Sequence, residues 1–194
     1  MTRRPLALLL LALLFAARGE AVSIGLDPSP VATSAGSTFT LDLVVAGLGD
    51  GAAPSLGSYD LDVLFDASVL ALDAVAFGAL LGGPADSLQA AAEIVAGTWD
   101  VSELSLLSPS ELDALQPTSF VLATLSFSAL AAGTTSVTLT GLAGDAFGRA
   151  LDLQLGAARV EIAGGAVVPE PGAALLFACG ALAVARARRA ARAG

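Results

Sequence analysis

From residue 38 onward, apolar and polar side chains alternate in short runs. Phe39, Leu41, Leu43 and Val45 share one parity, while Thr38, Thr40 and Asp42 share the other. Tyr59, Leu61, Val63 and Phe65 alternate with Ser58, Asp60 and Asp62. Val121, Ala123, Leu125 and Phe127 alternate with Thr124, Ser126 and Ser128, and Val137 and Leu139 with Ser136, Thr138 and Thr140. Leu151, Leu153 and Leu155 flank Asp152 and Gln154, and Val160 and Ile162 flank Glu161. A period of two sends successive side chains to opposite faces of an extended backbone, so each run predicts a strand with one face in a core. Turn signals separate the runs: Gly49-Asp50-Gly51, Gly82-Gly83-Pro84, Ala132-Gly133 and Gly144-Asp145. Repeated short strands without long helical patterns predict an all-β sandwich.

One short helix is legible. Ser108-Pro109-Ser110-Glu111 supplies a capping serine, a first-turn proline and a glutamate at the third helical position. Pro117 stops this helix near Leu115. The stretch from Gln89 to Ala92 is read as a further turn of helix.

The two ends follow other rules. Residues 1–21 carry Arg3 and Arg4, an apolar run from Leu6 to Ala17, and Gly19-Glu20-Ala21. That is the order of a secretory signal peptide, with cleavage expected after Ala21. The run is short for a membrane span, which needs about 20 apolar residues. Residues 166–194 carry Val168-Pro169-Glu170-Pro171-Gly172, an apolar run over 173–185, and then Arg186, Arg188, Arg189 and Arg192. Pro169 and Pro171 keep the predicted helix from starting before Pro171. Arginines directly after the run favour a cytoplasmic end, which leaves the rest of the chain outside. Pro169-Glu170-Pro171, the short transmembrane helix and the Arg cluster together resemble the PEP-CTERM sorting signal of Gram-negative bacteria. The resemblance implies an exosortase-type processing enzyme as a partner, which recognises and removes the tail. Cys179 lies within this helix and is read as packing.

Charge narrows the function of what lies between. The chain holds 18 Asp+Glu, 9 Lys+Arg and no His, for a net charge of −9. All nine basic residues are Arg, and residues 22–165 keep only Arg149 and Arg159 against sixteen acids, hence −14. Such a surface repels phosphate backbones, so nucleic acid is excluded as a partner. The same stretch has no His, Cys, Lys or Met. Imidazole bases, thiolates, Schiff-base amines and nitrogen or sulfur metal ligands are therefore missing from it.

The order of segments carries a second resemblance. Ala35-Gly36-Ser37 leads into the Phe39–Leu43 run. The segment from Gly57 through Phe65-Asp66-Ala67-Ser68-Val69-Leu70 follows, and then the late strands around Leu122–Phe127 and Thr135–Leu142. This order is similar to the cohesin-like domain, a jelly-roll β-sandwich of about nine strands related to carbohydrate-binding modules. The resemblance covers residues 22–165 and implies a binding or display module without naming what is bound.

Paired carboxylates are the one catalytic constellation left. Asp60 and Asp62 share a strand face about 7 Å apart, a glycosidase-like spacing. A solvated acidic face is the preferred reading. Asp50 and Asp145, beside glycines, are candidate ligands for a structural calcium, with solvated charge the preferred alternative. Asp66 is read as a turn-former. Trp99, in Gly97-Thr98-Trp99-Asp100-Val101-Ser102, is assigned to the core, with sugar stacking the alternative. Val75 to Leu81, with Phe77, is expected to pack on the sandwich edge.

No catalytic residue and no cofactor is expected. The chain reads as a non-enzymatic interaction module, exported, briefly held at the inner membrane through its C-terminal helix, and sorted to the cell surface or extracellular matrix. Its expected partners are a protein or an extracellular polysaccharide. The alternative is a carbohydrate-binding module of weak glycan affinity.

Overall fold

The computed structural model describes residues 21–164. The predicted signal peptide before Ala21 lies outside the described residues. So do Pro169, Glu170, Pro171, Arg186, Arg188, Arg189 and the predicted helix over 173–185.

The chain forms strands β1 (Val22–Asp27), β2 (Val31–Ser34), β3 (Thr38–Ala46), β4 (Leu56–Leu64), β5 (Leu70–Phe77), β6 (Ser87–Val95) and β7 (Thr98–Ser105). Helix α1 (Pro109–Leu115) follows, and then β8 (Ser119–Ala129), β9 (Gly133–Asp145), β10 (Leu153–Leu155) and β11 (Ala157–Ala163). One sheet runs β10-β1-β3-β8-β5 and the other β2-β11-β9-β4-β7-β6. The first and last segments each change sheet midway, β1 to β2 at Pro28-Ser29-Pro30 and β10 to β11 at Gly156. Counting each of these segments once recovers the nine strands expected.

The core lies between the sheets and is made of the predicted inward parities. Leu41, Leu43 and Val45 of β3, Leu61 and Val63 of β4, Leu125 and Phe127 of β8, and Val137 of β9 are all fully buried. Phe127 is its aromatic centre. Its ring stacks on Phe39 at 5.4 Å and meets Phe65 edge-on at 5.3 Å, two geometries that the ring quadrupole favours. Leu81 is buried, and Val75, Phe77 and Leu80 pack against the same core, as expected of that stretch.

Two expectations are corrected. Gln89 to Ala92 is not helical; it is the middle of β6, paired residue for residue with β7. Alanine has no β preference of its own, and here the ladder to β7 decides. Val121 points outward, 38% exposed. A bulge where β8 passes Leu43 and Val44 of β3 adds one residue, so parity reverses and Phe120 and Leu122 turn inward instead.

The helix forms where its sequence places it. The Glu111 carboxylate accepts the Ser108 N–H at 2.8 Å and the Ser108 hydroxyl at 2.6 Å, closing the first turn. Just past its last turn, Gln116 is buried and acts as a substitute piece of backbone. Its Oε1 accepts the Leu56 N–H at 2.7 Å, and its Nε2 donates to the carbonyls of Leu56 at 2.8 Å and Leu80 at 3.0 Å. One side chain thus joins the helix end to β4 and to the loop after β5. Ser55 adds a second tie, donating to Asp113 at 2.6 Å. Among the described residues, every buried side-chain nitrogen and oxygen has a hydrogen-bond partner.

Asp66 is the turn-former expected. Its Oδ1 accepts the backbone N–H of Ser68 at 2.9 Å and the Ser68 hydroxyl at 2.6 Å. These two donors hold its carboxyl below the ordinary aspartate value.

Candidate functional site

Alternation along β4 sends Tyr59, Leu61 and Val63 into the core and Ser58, Asp60 and Asp62 outward. The neighbouring ladders repeat this. Leu104, Ser102 and Asp100 of β7 stand beside Ser58, Asp60 and Asp62, while Leu142 and Thr140 of β9 stand on their other side. Leu88, Ala90 and Ala92 of β6 complete the row. The outer surface of β9-β4-β7-β6 is therefore one patterned face.

Its two ends differ chemically. At one end Leu88, Leu104 and Leu142 are 60%, 49% and 63% exposed around Ser58. They border an open groove of about 430 Å³ that reaches Asp60, Ala90 and Ser102. At the other end Asp60, Asp62 and Asp100 crowd together. The Asp100 carboxyl is pushed up, first by partial desolvation and then by the hydrogen bond to Asp60 and the charges of Asp60 and Asp62. Thr140 donates to Asp62 at 3.5 Å and Ser102 to Asp100 at 3.3 Å. Gly141 lets β9 come this close to β4. It sits at φ +135°, and a Cβ there would overlap the Asp60 carbonyl oxygen.

The raised Asp100 carboxyl has a testable consequence. Its folded-state pKa exceeds the unfolded value, so its charge opposes folding at neutral pH and that opposition fades as pH falls through the raised pKa. Asp100→Asn is expected to melt higher than the parent at neutral pH. The gap should close on acidification, as followed by melting temperature against pH.

Asp60 and Asp62 do share a face, as expected, and Asp100 joins them. Among the described residues the face is open, and no aromatic side chain stands on it to hold a sugar. Trp99 pairs with Val63 in register, points to the other side of the sheet and packs half-buried on the core, as the core assignment anticipated. Asp145, the calcium candidate, directs Oδ1 at the backbone N–H groups of Phe147 and Arg149, each at 2.8 Å. Asp50 is exposed. Among the described residues, no group of three or more His, Cys, Asp or Glu is placed to hold a metal ion.

Sequence reasoning missed Glu103. It has the inward parity of Trp99 and Val101 and is buried, with 2% of its surface exposed. Tyr59 donates its hydroxyl to Oε2 at 3.3 Å, and Gln89 donates to Oε1 at 2.8 Å. Burial, followed by the Glu103 charge and hydrogen bond, pushes the Tyr59 pKa far above the ordinary tyrosine value. Tyr59 therefore stays a donor. The signal was available, because an acid on the apolar parity of a strand needs a buried partner.

No protein-family model matches the sequence, and no curated protein matches it. Solved structures do. A cohesin module from a family 33 glycoside hydrolase of Clostridium perfringens superposes with a TM-score of 0.59 at 16% identity, covering 74% of this chain and 98% of that one. The sixth cohesin of scaffoldin B from Acetivibrio cellulolyticus, solved in complex with a Cel5 dockerin, gives 0.58 at 17% identity, covering 74% and 99%. A non-cellulosomal cohesin from the archaeon Archaeoglobus fulgidus gives 0.57 at 15% identity, covering 74% and 91%. The cohesin-like sandwich expected from the sequence is thus the fold of this chain.

Proposed function

We propose that this chain is a non-catalytic interaction module that takes a protein partner on the outer face of β9-β4-β7-β6. The observation that carries the reading is the cluster of Leu88, Leu104 and Leu142, exposed beside a row of aspartates. Apolar side chains gathered on a sheet face, rimmed by charge, suit a protein surface that covers the leucines and answers the aspartates with basic groups. Two of the structural neighbours were solved with dockerins from Clostridium thermocellum, which supports a protein as occupant. The orientation of Trp99 argues against a glycan platform.

The remainder of the proposal concerns address. The order of features over 1–21 and 166–194 supports export, brief anchoring at the inner membrane and exosortase processing, with the domain working at the surface or in an extracellular polysaccharide matrix. That β1 begins at Val22, directly after the predicted cleavage point, agrees with this.

A photo-crosslinking side chain placed at Ser102 in the native host is expected to capture one discrete protein. Leu104→Thr combined with Leu142→Thr should reduce capture by on the order of tenfold, with the melting temperature little changed because both leucines face solvent and no charge is added. Capture of glycan alone, or undiminished capture by the double variant, would count against the face. Intact mass with cell fractionation tests the address. A species running from Val22 to near Pro169 supports it, and chains reaching Gly194 in the membrane fraction overturn it.

A further inference from the structure

We propose that two copies of this chain join edge to edge through β6, antiparallel and centred on Ala91, so that two six-stranded sheets become one continuous sheet.

Three observations converge on this edge. Among the described residues β6 closes one side of its sheet, pairs only with β7, and is exposed from Leu88 to Val95. Its outward row of N–H and C=O groups is a template for another strand. The other edges are guarded. β2 has four residues and β10 three, and β5 is broken by a bulge at Asp73. β6 has nine residues, no lysine and no proline, and a single charge at Glu93.

The third observation names the occupant. Read outward from Ala91, the strand is a palindrome in chemistry: Ala90 and Ala92, then Gln89 and Glu93, then Leu88 and Ile94. In an antiparallel two-fold pair each residue faces its mirror position on the other copy. Ala91 would meet Ala91 on the axis, Gln89 would meet Glu93, and Leu88 would meet Ile94. Leu88 and Ile94, 60% and 59% exposed in the single chain, would flank the regular Gln89–Glu93 ladder at its two ends. The Gln89 amide already donates to Ser87 and Glu103 of its own chain, so this pairing serves to keep the two Glu93 side chains apart. A self-complementary patch is what a two-fold interface requires. The irregularity between Glu93 and Val95 in the ladder to β7 falls at the end of the palindrome and leaves Gln89–Glu93 in regular pairing. Each copy carries a net charge of −9, so added salt should strengthen the pair by screening.

Cysteine cross-linking of the full-length chain, in a Cys179→Ser background, tests both the contact and its register. Residues directly opposite in such a ladder lie about 4.5–5.5 Å apart, within disulfide reach. Ala91→Cys is expected to give a covalent dimer on the order of tenfold faster than the exposed turn control Ala67→Cys, the gain of a held pair over random encounter. Ala90→Cys should link to Ala92→Cys in a mixture of the two. Ala91→Lys, which sets like charges face to face, should keep the folded β-sheet circular dichroism spectrum and halve the mass seen by light scattering. Equal rates at Ala91 and Ala67, or a parent chain that scatters as a monomer in high salt, would overturn the proposal.

Discussion

Phe127→Ala is expected to destabilise the domain by about 3–5 kcal/mol, the usual range for emptying a large aromatic site in a packed core. Phe127 is fully buried and lies between the ring of Phe39 and the edge of Phe65. Its removal therefore loses transfer energy, opens a cavity and ends two aromatic contacts. β8 is flanked by β3 and β5, so neighbouring strands cannot close the gap without breaking their own ladders. Urea unfolding should show a lower midpoint with an unchanged slope, since the surface exposed on unfolding hardly differs. Phe39→Ala is the internal comparison. Phe39 is only half-buried, so its loss should cost clearly less. Equal costs would mean that the stacked pair, and not the burial of Phe127, sets the energy.

The second large effect is expected at a polar position. Gln116→Ala withdraws three hydrogen bonds from the backbone groups of Leu56 and Leu80. Orphaned buried groups cost about 1–3 kcal/mol each, so a total of several kcal/mol is expected. Gln116→Glu separates hydrogen bonding from packing. It preserves the volume but turns two donors into a carboxylate facing two carbonyl oxygens. Burial and those carbonyls would raise its pKa, so this variant should be strongly destabilised at neutral pH and recover part of the loss as pH falls. Thermal melts at two pH values decide the matter. A Glu variant as stable as the parent at neutral pH would show that the amide merely fills space.

Most of the fold was legible because most strands have a wet side and a dry side. β3, β4, β9 and β11 expose one parity to water, and their inward residues are those the alternation picks out. β6 was illegible for the opposite reason. Water reaches nearly all of its residues, so its sequence carries no alternation, and alanines without punctuation read as helix. Val121 was misread because a bulge is a local change of count, and the adjacent Phe120, Leu122 and Ala123 are apolar enough to fit either parity. Asp60, Asp62 and Trp99 were correctly oriented from sequence. The proposed binding face was not foreseen, because Leu88, Leu104 and Leu142 come from three strands that only the sheet order gathers about β4. Gln116 was missed because its partners are backbone atoms, which leave no mark on the sequence.

The sheet-switching segments at the two ends carry a mechanical consequence. β1 runs parallel to β10, and β2 runs parallel to β11, with Val22 beside Leu153 and Ser34 beside Ala163. The polypeptide therefore enters at one end of the zipped pair and leaves at the other. Tension applied between Val22 and Ala163 drags these partners past one another along their length. Ladder bonds lie across the strands, so they share the load at once and do not open one at a time. Rupture then requires a cooperative slip of both patches, which makes the domain a stiff link in any chain of molecules under pull.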